Sequence, residues 1–255
     1  MIPIIPTSDT VHHAAAHLAA AFQLPLLETI PIPPPAFILS LNSQRLELVS
    51  LQSKLGPVYV DFVHGRLGYR CHRGGGRQQP LGRAIGLKSG ACPHVVDATA
   101  GLGQDAFVLA WLGCQVQMIE RSPVIAALLQ DGLSRMNQIP KVTIHLREQL
   151  SLLHQDAQSW LMHLLPHQYP DVIYLDPMYP HRKKSALVKK EMRIFREIVG
   201  DDLDATQLLE VALNRACRRV VVKRPQYALP LGEKSPHFCI QSENTRFDVY
   251  LVNGS

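Results

Sequence analysis

From His94 onward the sequence alternates short apolar runs, most of them ending in or just before an acid, with stretches long enough for helices, and this alternation constrains the fold more than any other feature. Val95-Val96-Asp97, Gln115–Glu120, Leu150–His154 (close to Asp156) and Asp171–Leu175, running into Asp176, read as strands. Gln104–Leu112, Pro123–Met136 and Ser159–Leu165 read as the helices between them, the second with Ser122 as N-cap and proline in its first turn. Ala205–Cys217 reads as a further helix and Arg219–Lys223 as a further strand. Phe238–Gln241 and Phe247–Val252 close the chain as two more strands, read as antiparallel. Such a pattern predicts an α/β fold: a doubly wound, mostly parallel sheet that binds ligands at the carboxyl ends of its strands.

The segment before it has a different character. An Ala-rich helix is expected over Asp9–Phe22, then proline punctuation at Pro31-Ile32-Pro33-Pro34-Pro35, then β-like runs at Ala36–Leu41, Leu46–Leu51 and Val58–Val63. Asn42-Ser43 between the first two predicts a hairpin. We therefore expect a small α+β N-terminal subdomain over residues 1–90 and the sheet domain over residues 91–255. Arginines 66, 70, 73, 77 and 83 fall in a stretch with no acid between Asp61 and Asp97, around Gly74-Gly75-Gly76. An open glycine backbone flanked by Arg73 and Arg77 reads equally as a phosphate-approaching loop or a surface linker.

Bulk properties exclude several classes. A hydrophobic fraction of 46% with 18% charged residues fits an ordered globular chain rather than a disordered one. The net charge of +5 mildly favours a polyanionic partner. The five cysteines are scattered without metal or disulfide spacing, and no His-Glu-x-x-His pattern occurs, so no metal is expected. The N-terminus lacks the basic start of a signal peptide, and Ala14–Leu27 is too short for a membrane span, so a cytoplasmic protein with no membrane partner is expected.

The chemistry concentrates at the strand ends. Gly101 and Gly103 follow the first strand of the sheet and allow a tight turn that a ligand approaches closely. Glu120, ending the next strand, can accept from the two ribose hydroxyls of an adenosine cofactor. Gly101-Leu102-Gly103-Gln104-Asp105-Ala106 also fits the dinucleotide pattern, which makes an NAD-dependent oxidoreductase the rival reading. Three residues favour S-adenosylmethionine (AdoMet) instead. Asp97 precedes the turn as in an Asp-x-x-x-Gly-x-Gly motif. Asp105 would repel a pyrophosphate and suits a cationic or amino end of a ligand. Asp156 is placed for an adenine amino group, and it also reads as a helix N-cap.

Asp176-Pro177-Met178-Tyr179 follows the strand before the basic run. The exocyclic amine of a base is a poor nucleophile because its lone pair is delocalised into the ring. A carboxylate and a backbone carbonyl that accept its N–H bonds favour the pyramidal form and aim the lone pair. Asp176 and the Pro177 carbonyl suit that task, and Tyr179 suits stacking on the base. Just beyond lie Arg182, Lys183, Lys184, Lys189 and Lys190. A charge run is ordinarily a solvated face. At the lip of a base pocket it would hold the phosphates around a flipped nucleotide.

These motifs resemble those of class I AdoMet-dependent methyltransferases. Within them the chain is similar to the RsmJ family, which methylates the exocyclic N2 of one guanine in 16S ribosomal RNA. The similarity runs from about Val60 onward and is dense in Val95–Leu109, Tyr174–Met192 and Val220–Pro225. It implies a Rossmann-like methyltransferase domain and a cofactor held at Gln104 and Asp105, Glu120 and Arg121, Asp156 and Ala157, and Asp176. It also implies a 16S rRNA or small-subunit partner. For the oligomeric state a monomer is the default expectation. Met178 departs from the broader Asp-Pro-Pro-Tyr motif, so the motif alone leaves other nucleic-acid or protein amino groups open as targets. A non-catalytic RNA-binding protein of the same fold is a further alternative.

Overall fold

The computed structural model describes residues 1–53, 56–63, 76–88, 90, 92–139, 144–178, 197–198, 200 and 202–252. The N-terminal part forms a three-stranded sheet, β1 (Ile4–Pro6), β2 (Phe37–Leu41) and β3 (Leu46–Ser50), in that order. Helix α1 (Asp9–Phe22) links β1 to its parallel neighbour β2 and buries Ala15, Ala19 and Phe22. The expected hairpin joins β2 to β3. Asn42 shapes it: its side-chain oxygen accepts from the backbone N–H groups of Gln44 (2.8 Å) and Arg45 (3.0 Å), an Asx turn.

The larger sheet has seven strands: β4 (His94–Asp97), β5 (Gln115–Glu120), β6 (Leu150–His154), β7 (Val172–Leu175), β8 (Arg219–Pro225), β9 (Phe238–Gln241) and β10 (Thr245–Leu251). Their spatial order is β6-β5-β4-β7-β8-β10-β9; β10 pairs antiparallel with both β8 and β9, and the other pairs are parallel. The helices are α2 (Pro80–Ile85), α3 (Gln104–Trp111), α4 (Pro123–Asn137), α5 (Ile144–Gln149), α6 (Ala157–Met162) and α7 (Ala205–Leu213). Successive strand residues alternate between two cores. Val95, Val172, Tyr174 and Val221 pack with α3, α4 and the N-terminal sheet. Val96, Ile173, Leu175, Val220 and Val222 pack with α6 and α7. That two-sided burial is what all-apolar parallel strands require. The chain winds outward in opposite directions from β4 and β7, so their carboxyl ends open a crevice.

Three expectations need correction. Val58–Val63 is not a strand: only Val58 bridges to Leu48. Val58, Val60 and Phe62 are nevertheless buried alternately. Here the two-residue period reports side chains inserted against α4, where a Cβ on Gly132 would lie 2.5 Å from Val60 Cγ1. Helix α6 starts at Ala157 rather than Ser159 because Asp156 caps it, accepting from the Ser159 N–H at 2.7 Å. Helix α7 stops at Leu213, short of Cys217. β1, α2 and α5 were not anticipated; each is too short to show a period. No described helix is long and apolar enough to cross a membrane.

Candidate active site

The turn after β4 is built on two glycines in the left-handed region, Gly101 (φ 53°) and Gly103 (φ 69°). Their roles differ. Gly101 lines a cavity of about 430 Å³. Gly103 faces the core, where an added Cβ would lie 2.9 Å from Leu129 and 3.1 Å from both Met118 and Phe62. Glu120 fastens the turn to the end of β5. Its Oε2 accepts from the Gly101 N–H (3.0 Å) and its Oε1 from the Ser122 N–H (2.7 Å). Burial pushes the Glu120 carboxyl up to about 7, against the pull of those two N–H groups. A carboxylate offers about four acceptor sites, so both oxygens can still receive ligand hydroxyls.

Asp97 ends β4 almost fully buried, and burial pushes its carboxyl up to about 8 although the Thr99 N–H (3.2 Å) counters this. The Thr99 hydroxyl in turn accepts from the Asp176 N–H at 2.6 Å, tying the turn after β4 to the turn after β7. At this junction one lysine serves two acids. Lys223 Nζ donates to Asp105 Oδ2 and to Asp176 Oδ2, both at 2.8 Å, and the Tyr174 hydroxyl donates to the same Asp105 oxygen at 2.8 Å. Burial alone would lower the Lys223 pKa, but Asp176 and Asp105 outweigh it and hold the ammonium charged. Burial raises the Asp176 carboxyl, and Lys223 restrains the rise. The Asp176 side chain stays 41% exposed toward the cavity it lines.

Arg121 closes another side. It pairs with Asp204 (2.8 Å) and with Asp202. Asp202 Oδ2 accepts from the Met178 N–H (2.6 Å), and the Asp202 N–H donates to the Met178 carbonyl (3.1 Å). A chain of polar contacts therefore runs from the end of β5 to the turn after β7.

Of the residues expected from the sequence, Asp97, Gly101, Gln104, Asp105, Glu120, Arg121, Asp156, Ala157, Asp176 and Pro177 all line this one cavity. Gly103 supports it from the core side. Asp105 lines the cavity while its Oδ2 is engaged within the protein by Lys223 and Tyr174. Arg77 sits elsewhere: it donates to the Leu112 carbonyl (3.1 Å) and the Lys88 carbonyl (2.8 Å), at the amino ends of the strands. Tyr179, Arg73, Arg182, Lys183, Lys184, Lys189 and Lys190 lie outside the described residues. Sequence reasoning missed Tyr174, Asp202 and Asp204. Asp202 and Asp204 stand just before a helix, where acids are common for local reasons alone, so their type carries no signal of a site. Lys223 reads from the sequence only as the end of a strand, although a lysine closing the run Val220-Val221-Val222 is a signal for a role at the sheet edge. Among the described residues no group of His, Cys, Asp or Glu is arranged to hold a metal.

Residues 18–252 match a family described as "Putative SAM-dependent methyltransferase". The chain is 57% identical to the ribosomal RNA small subunit methyltransferase J of Aeromonas hydrophila over 86% of this chain and 88% of that protein. It is 51% identical to the protein of the same name from Thioalkalivibrio sulfidiphilus, with 98% of each covered. A crystal structure of a SAM-dependent methyltransferase from Neisseria gonorrhoeae superposes with a TM-score of 0.79 at 33% identity, covering 99% of this chain and 97% of that one. With a matching fold, a glycine turn and strand-end acids around one cavity, the chain belongs to the SAM-dependent methyltransferase family, among the ribosomal RNA small subunit methyltransferase J proteins.

Proposed function

We propose that this protein transfers a methyl group from AdoMet to the exocyclic N2 of a guanine in small-subunit (16S) ribosomal RNA. The observation that carries the reading is Asp176: a carboxylate in an acid-Pro turn, anchored by Lys223 and exposed to the cavity. The cavity residues fit the cofactor. Glu120 accepts from ribose hydroxyls while keeping its two backbone N–H bonds. Asp156 uses Oδ1 to cap α6, and its second oxygen, without a partner among the described residues, is available to an adenine amino group. Ile119, Ala205 and Leu208 supply apolar wall. When bound, AdoMet supplies an electrophilic methyl group on its sulfonium.

Asp176 and the Pro177 carbonyl accept the N–H bonds of the target amine and direct its lone pair into the cavity. Lys223 opposes the rise that burial imposes on the Asp176 carboxyl and fixes its orientation. Tyr179 stacks on the base. Arg182, Lys183, Lys184, Lys189 and Lys190 hold flanking phosphates. Residues 1–90, with Arg73, form the subdomain that assists docking on the ribosomal RNA, and the working form is a cytoplasmic monomer. The guanine target rests on the likeness to small-subunit methyltransferases, and the amine chemistry rests on Asp176.

The test is incubation with labelled AdoMet and either small-subunit rRNA or assembled small subunits lacking the modification, followed by nucleoside digestion. N2-methylguanosine is expected. Label on a different nucleoside, or none while AdoMet binds, overturns the assignment of the target.

A further inference from the structure

Resting on the reading above, we propose that Tyr227, with Leu229 beside it, is a rigid stacking platform for an unpaired RNA base next to the target nucleotide. β8 runs parallel to β7, with Leu175 opposite Val222, so the chain leaves β8 at the edge of the sheet where Asp176 lies. Pro225–Ala228 then forms a turn closed by the Ala228 N–H on the Pro225 carbonyl (3.1 Å), with Gln226 and Tyr227 at its tip. Farther on, Leu231 is buried with Ala205 and Leu208, which also line the cavity. The loop is therefore a piece of the cavity's surroundings that starts just after Lys223 and ends on the start of α7.

Two features of this loop conflict unless something binds it. Tyr227 is 92% exposed and Leu229 82% exposed, although both are large and apolar. Yet the backbone beneath them is clamped by two buried arginines. Arg246 Nη1 donates to the Gln226 carbonyl (2.9 Å) and the Ala228 carbonyl (2.6 Å), and Arg224 donates through Nε to the Leu229 carbonyl (3.0 Å). Arg246 is itself held by Asp248, which is fully buried, at 2.6 Å and 3.0 Å. Burying guanidinium groups is expensive unless their donors are used, and here several are spent on three consecutive-region carbonyls of one exposed turn. Apolar side chains on a loop of ordinary function gain nothing from such fixing. An aromatic ring that must meet a base does, because a pre-ordered ring loses little freedom on binding. Bases present a flat apolar face to such rings, and unpaired RNA is commonly held this way. The chain's net charge of +5 matches a polyanionic partner over a second protein.

The experiment measures binding of unmodified small-subunit rRNA by fluorescence anisotropy, AdoMet binding by calorimetry, and methylation kinetics, for the wild type, Tyr227→Ala and Tyr227→Trp. The ring is almost wholly exposed, so its removal does not threaten the fold. Tyr227→Ala is expected to weaken RNA binding about tenfold, raising KM for RNA with kcat and AdoMet affinity little changed. Tyr227→Trp is expected to keep wild-type affinity, and its emission to be quenched by RNA beyond any change that Trp111 and Trp160 give in the wild type. Equal RNA affinity for Tyr227→Ala and wild type, with methylation of rRNA intact, overturns the platform and leaves the proposed function standing. A wild type that neither binds nor methylates the RNA overturns both.

Discussion

The Lys223 ammonium lies 2.8 Å from an oxygen of Asp105 and 2.8 Å from an oxygen of Asp176, so a single positive charge is shared between the floor of the site and its reactive lip. Removing it would leave both carboxylates facing each other, with Asp202 adding to the repulsion on Asp176. Burial already raises Asp176, and Lys223 is what opposes the rise. Without the lysine the Asp176 pKa climbs further, and the carboxylate forms only at higher pH. Lys223→Met is therefore expected to shift the acid limb of the kcat/KM profile to higher pH and to lower the rate near neutrality about tenfold, with Lys223→Arg recovering part of it. An unmoved limb would show that Lys223 does not set the ionisation of Asp176. Asp176→Ala is expected to reduce kcat by at least about a hundredfold, with an unchanged far-UV circular dichroism spectrum. Near-normal turnover would remove Asp176 from the chemistry.

At the level of elements, the ends of β4 and β5 each trade stability for function. Asp97 rises from 3.8 to about 8 and Glu120 from 4.5 to about 7, both mainly through burial. Between those ordinary and raised values the native state keeps protons that the unfolded chain has released. Stability from these groups is therefore full below about pH 4 and is lost as pH rises through 7 to 8. For the ligand-free protein the urea midpoint should be higher near pH 5.5 than near pH 8, and Asp97→Asn should flatten that dependence. A midpoint independent of pH in wild type would contradict the burial of these acids. The glycine turn carries a separate expectation. Gly103 combines a φ of 69° with core atoms 2.9 to 3.1 Å from any added Cβ. Gly103→Ala should cost about 1–3 kcal/mol, read as a lower urea midpoint.

Across the whole molecule the N-terminal sheet is joined to the methyltransferase sheet through shared packing. Ile4, Leu39, Leu46 and Leu48 belong to the same core as Ile125, Leu128 and Leu129 of α4. The cavity, the loop of Tyr227 and the turn that leads into the basic run all gather at the carboxyl edge of the large sheet. Affinity for RNA should accordingly fall steeply with salt. Lys183→Ala together with Lys184→Ala should weaken binding and reduce the slope of log affinity against log salt by about two. A slope equal to that of wild type would return those lysines to an ordinary solvated face.

The sequence by itself determined the order of elements and the chemistry at the strand ends. Apolar runs ending at Asp97, Glu120 and Asp176, with glycines at 101 and 103, were legible because period, turn residues and strand-end acids are local properties. Local signals failed where burial and pairing part company, as at Val58–Val63, whose alternating burial reflects contacts with α4 rather than a ladder. Only the tertiary structure decided how the acids are partnered. Asp105, Lys223 and the neighbours Tyr174 and Asp176 come from three distant parts of the chain and meet because β7 and β8 lie side by side next to β4 and the start of α3. It also separated Arg77, spent on carbonyls at the opposite edge, from the residues that meet at the cavity. A residue's type fixes which bonds it can form, but which partners lie within 3 Å is set by strand order and register, and no local pattern encodes those.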